Sequence, residues 1–96
     1  MKLLKYTTEF VSSRPKMIEE GKLYMIPHYN CSVHKCMCGC GEVVVLPIDD
    51  GCGYNNGFWG WIYDGTNASI VPSVSNIHFE CNSHYTLSSG KVGWKK

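Results

Sequence analysis

The sequence predicts a small, mostly β fold, a mainly antiparallel sheet with one short N-terminal helix and a structural zinc site. Three observations carry that reading. Short runs rich in β-branched and aromatic residues recur after Gly21, broken at Gly, Pro, Asn, Asp and Ser. In HKCMCGCG, residues 34–41, a histidine and three cysteines stand on alternate positions. The chain has 96 residues with no repeat, linker or low-complexity stretch, which makes one domain over 1–96. A chain of that size buries only part of its unfolded surface, so a staple would help it.

The elements are taken in chain order. SSRPKMIEEG, residues 12–21, has small polar residues before Pro15, acids at Glu19 and Glu20, and Gly21 as a stop; this pattern predicts the short helix. Strands are expected at KLYMIP (22–27), EVVVLP (42–47), FWGWIYD (58–64), SIVPSV (69–74), NIHFE (76–80), HYTLS (84–88) and KVGWK (91–95). The Gly- and Asn-rich stretch 49–60 reads as a long mobile loop. Phe58, Trp59 and Trp61 would anchor its far end, with one of the two tryptophans largely buried.

Charge and hydropathy exclude several functions. The formal net charge is +1 and the lysines are scattered, so no basic field favours nucleic acid. Lys5 interrupts the apolar start MKLLKYTTEF, so no signal-peptide core develops. No apolar run approaches the roughly 20 residues of a membrane span. The expectation is a cytoplasmic protein in a reducing compartment, where clustered cysteines are more often metal ligands than disulfides.

Cysteines two apart pair with each other only through a strained bridge, and only Cys31, Cys52 and Cys81 remain as distant partners. Three thiolates from one tight turn and a fourth from afar form a closed tetrahedral zinc site more easily. The stretch ECNSHY offers Cys81 and, three residues on, His84. The preferred set is Cys36, Cys38, Cys40 and Cys81. A rival pairs Cys81 with His84 and takes two of the clustered cysteines, and His34 could replace a cysteine in either. Cys31 and Cys52 lack ligand spacing and read as ordinary small side chains. Zinc is preferred to an iron–sulfur cluster because closed structural sites in small domains are mostly zinc.

PKMIEEGKLY (15–24), HKCMCGCG (34–41), PSVSN (72–76), CNSHY (81–85) and GKVGW (90–94) occur in one order across nearly the whole chain after residue 10. In that order they resemble a small bacterial and phage family, treated as a domain of unknown function, with the pattern H-x-C-x-C-G-C-G, P-S-I-G-N and C-x-S-H-Y. Two positions depart from it: Val74 replaces Ile, and Ser75 replaces a Gly, which puts a tight turn beside Ser73 in question. The family occurs beside ubiquitin-like proteins and their activating and conjugating enzymes. The resemblance therefore implies those proteins as partners. It also implies either a peptidase that processes or removes the tag, or a non-catalytic zinc-binding adaptor.

A serine hydroxyl becomes a nucleophile when an imidazole accepts its proton. Ser73 and His84 fall inside the two family motifs and are the pair a hydrolase would use. His34 is an alternative base or a metal ligand, and Asp64, Glu80 and Asn76 are candidates to orient the imidazole. On the plainer reading Ser73 caps a turn and His84 binds metal or a core partner. A zinc-dependent hydrolase with an open metal site is the third function class.

Overall fold

The computed structural model describes residues 2–49, 59–75 and 81–94. Eight strands lie in one sheet in chain order. They are β1 (Thr7–Phe10), β2 (Lys22–Ile26), β3 (Cys31–Lys35), β4 (Val43–Asp49), β5 (Trp59–Tyr63), β6 (Ala68–Ser75), β7 (His84–Ser88) and β8 (Lys91–Trp94). β1 with β2 and β4 with β5 run parallel, and the other neighbours run antiparallel. A 3-10 turn at Pro27–Tyr29 joins β2 to β3. It ends on Asn30 in the left-handed region, where an Asn side chain is tolerated.

The N-terminal segment closes the sheet. Lys5 bridges Lys91, Tyr6 N–H donates to Gly90 O and Val92 N–H to Leu4 O, while the next four residues pair with β2. The first and last strands are thereby laced together, and open edges are largely removed. Inside lies a core built on Leu23, Met25, Met37, Tyr85 and Leu87, all without exposed surface. A second cluster of Ile18, Tyr24, Ile26 and Val33 fills the opposite face of β2 and β3.

That second cluster explains why the helix expected over 12–21 does not form. Residues 11–21 are an irregular crossover between parallel β1 and β2. A short helix needs an apolar face to offset its nucleation cost, and this one has a single buried residue, Ile18, while Met17 stays exposed. The segment is pinned as a cover by Ile18 and by a hydrogen bond from Glu19 N–H to the Tyr24 hydroxyl. The strand expected at 76–80 and most of the Gly-rich stretch, 50–58, lie outside the described residues. Trp59 and Trp61 are both partly buried and pack against the core. No helix among the described residues is long and apolar enough to cross a membrane.

Candidate active site and four-cysteine centre

β6 and β7 place the first group of residues. Val74 pairs with Tyr85 and Ser75 with His84, whereas Ile70 pairs with Leu87. Three residues of β6, 71–73, therefore lie opposite Thr86 alone. Pro72 within this bulge has no N–H to give a ladder. Because side chains alternate across a strand, Ser73 shares the outward face with Ser75 and with His84, its diagonal neighbour. The Ser73 Oγ to His84 Nε2 distance is 2.6 Å, a strong hydroxyl–imidazole hydrogen bond. The ladder holds this pair from behind through Val74 and Tyr85, both buried. From β5, the Trp59 indole N–H donates to the Ser73 carbonyl at 3.3 Å. Ser75 lies in extended strand rather than in a turn, so the residue standing for Gly there makes no conformational demand.

A groove of about 570 Å³ runs over the outer face of β5–β7, with Ser73 at one end. Asp64 lies at its other end and is not used to orient His84. Its Oδ1 accepts the N–H groups of Thr66 and Asn67 at 2.9 and 2.8 Å, and those bonds hold its carboxyl below the usual range. The other orienting candidates, Asn76 and Glu80, lie outside the described residues.

His34 sits elsewhere. It is fully buried on β3, its Nε2 meets the Tyr85 hydroxyl at 2.8 Å, and its Nδ1 has no hydrogen-bond partner among the described residues. Burial pushes its pKa down to about 4 and keeps the ring neutral.

The second group forms where the turn after β3 meets Cys81, three residues before β7. Gly39 and Gly41 both take φ of +87°, which folds 36–41 back on itself. Cys36 Sγ lies 3.4 Å from Cys38 Sγ and 3.7 Å from Cys81 Sγ, and Cys40 Sγ lies 3.8 Å from Cys81 Sγ. All four sulfurs fall within 4.8 Å of one another and could hold a metal ion. With Zn–S bonds of about 2.3 Å, the edge of a tetrahedron of sulfurs is about 3.8 Å. The donor set and spacing therefore fit such an ion. Neither His84 nor His34 belongs to this group, so the Cys81–His84 ligand pair is not assembled. No disulfide joins any of the five cysteines among the described residues.

Ser83 was not singled out from the sequence, although it lies inside CNSHY. Its hydroxyl approaches Cys36 Sγ at 3.0 Å and Cys81 Sγ at 3.4 Å. Hydrogen bonding from Ser83 draws the Cys81 thiol down to about 7, while burial pushes Cys38 and Cys40 up. Trp59 was also missed as a partner of Ser73. Only the β5–β6 register, fourteen residues apart in sequence, reveals it.

A serine hydroxyl held on an imidazole at the end of a groove, outside the four-sulfur group, is the arrangement that serine-type hydrolases use. The family model of bacterial ubiquitination-like system serine protease (BubE) matches residues 10–95, and the chain belongs to that family. Enzymatic activity of the serine-protease kind comes with the membership, and the ubiquitin-like setting is the one that the motifs pointed to. No curated protein and no solved structure gives a match.

Proposed function

We propose that this protein is a peptidase that cuts at the C-terminal tail of a ubiquitin-like partner, with Ser73 as nucleophile and His84 as general base. The observation that carries the reading is the 2.6 Å contact between Ser73 Oγ and His84 Nε2. In that geometry Nε2 can take the hydroxyl proton as Oγ attacks the scissile carbonyl carbon. The protonated imidazole then gives its proton to the leaving amine, and an acyl ester remains on Ser73. His84 next takes a proton from water, the hydroxide attacks the ester, and Oγ leaves with the proton returned from Nε2. The Trp59 indole, bonded to the Ser73 carbonyl, keeps the bulged backbone from turning the hydroxyl away.

Cys36, Cys38, Cys40 and Cys81 would hold one zinc ion as a structural tie. Four thiolates fill a tetrahedron and leave no position for water, which argues against an open, metal-activated hydrolase. The tie fixes Cys81, and with it the start of β7 that carries His84. A thiolate metal site suits a reducing compartment, which favours the cytoplasm, with the ubiquitin-like protein and its conjugation enzymes as partners.

The test is cleavage of a C-terminal extension from a ubiquitin-like protein of such a bacterial system, read by intact mass. Wild type should release the extension. Ser73→Ala should leave it uncut while keeping zinc content and melting temperature. A Ser73→Ala protein that still cuts would sink the reading and favour the non-catalytic adaptor.

A further inference from the structure

The groove leading from Ser73 has an acid at its far end that makes no ion pair among the described residues. Its outer-face lining combines apolar Ile62 and Val71, both substantially exposed, with the hydroxyl residues Ser73, Thr86 and Ser88. Asp64 closes it, and among the described residues the ion pairs are those of Lys22 with Glu9 and Glu19 alone. The carboxylate is fixed by two N–H bonds to one oxygen, which hold it in place as an anion.

We infer that this groove binds the extended tail segment preceding the scissile bond, and that Asp64 selects a basic residue there. The inference rests on the peptidase reading for the position of the cut. A tag-processing enzyme must recognise the tag, because the residues beyond the cut differ from one conjugate to the next, so the segment before the bond is the one that needs a specific groove. Tyr63 pairs with Ala68, so Asp64 lies one residue past the level of Ala68 on the strand that carries Ser73. Six residues of β6 separate that level from Ser73, but the bulge takes up much of the rise of about two of them. A rise of about 3.3 Å per residue then puts Asp64 about 15 Å from the hydroxyl, which an extended peptide covers in about five residues. The tail expected is therefore small or apolar near the cut, with Lys or Arg about five residues before it.

The probe is a set of N-terminally labelled nine-residue Ala/Leu peptides with free carboxylates, each carrying one Lys moved a position at a time. Binding to the Ser73→Ala protein is read by fluorescence anisotropy at low salt. The peptide with Lys about five residues from its carboxyl end should bind about two- to fivefold tighter than the others, the gain of one exposed ion pair. Salt should erase the difference. Asp64→Asn keeps the acceptor for Thr66 and Asn67, so it should abolish the preference without lowering the melting temperature. Affinity independent of the Lys position, a preference that survives Asp64→Asn, or no binding at all would overturn the inference. Register-dependent binding by a protein whose wild type cuts nothing would instead uphold the groove and remove the peptidase reading. Cutting without any register preference would do the reverse.

Discussion

Cys81→Ser should cost this protein a large share of its stability. The cysteine cluster ties the middle of the chain to the start of β7, and Cys36 and Cys81 are separated by 45 residues. By the loop-entropy relation for a cross-link, closing a loop of that length restricts the unfolded chain by about 4 kcal/mol. A domain of this size has only about 5–15 kcal/mol in total. The variant should therefore hold no zinc and unfold at a much lower urea concentration, or fail to accumulate. Cys31→Ser is the control: Cys31 is half-buried, stands outside the sulfur group, and should keep zinc and lose at most about 1.5 kcal/mol. The assay is metal analysis of protein purified under reductant, paired with urea unfolding followed by tryptophan fluorescence. Untreated wild type without metal, or Cys81→Ser with an unchanged unfolding midpoint, would refute the reasoning.

Three further outcomes are expected. Trp59→Phe keeps a ring but loses the N–H to the Ser73 carbonyl, so peptidase turnover should fall by up to about tenfold, with zinc content unchanged by metal analysis. His34 has a depressed folded pKa of about 4 against roughly 6.5 unfolded, so the unfolded chain binds the extra proton between those values. Stability is then complete above pH 6.5 and is lost as pH falls toward 4; an NMR titration should find the His34 ring neutral down to about pH 5. Ile18→Ala removes the one buried side chain of the crossover, and a loss of about 2–4 kcal/mol, with faster proteolysis within residues 11–21, checks it.

The strands at 22–26, 43–49, 59–63, 68–75, 84–88 and 91–94 were legible from their β-branched and aromatic runs, because half-buried sheet surface selects those residues. β1 and β3 were not, since TTEF and CSVHK each hold a single bulky apolar residue and owe their conformation to pairing with neighbouring strands. The Ser, Pro, Glu and Gly signals of 12–21 marked a helix, but capping residues have little effect without an apolar face, and Ile18 alone does not make one. The four sulfurs were legible because three are local in sequence and the fourth sits in a short motif. Closure of the sheet by residues 4–6 and the Trp59–Ser73 contact depend on register between distant segments, which no local pattern encodes. Ser73 and His84 came from motif resemblance; the bulge at Pro72 that makes them diagonal neighbours is visible only in the ladder.

The most direct test of the Ser73–His84 pair as a nucleophile and its base is covalent trapping by a fluorophosphonate, which reacts with activated serines. The labelled protein is digested and the adduct mapped by mass spectrometry. The account predicts a single phosphonylated residue, Ser73, with labelling lost in His84→Gln while zinc content is retained. Unlabelled Ser73 in folded, zinc-loaded protein, or equal labelling with and without the His84 imidazole, would contradict it.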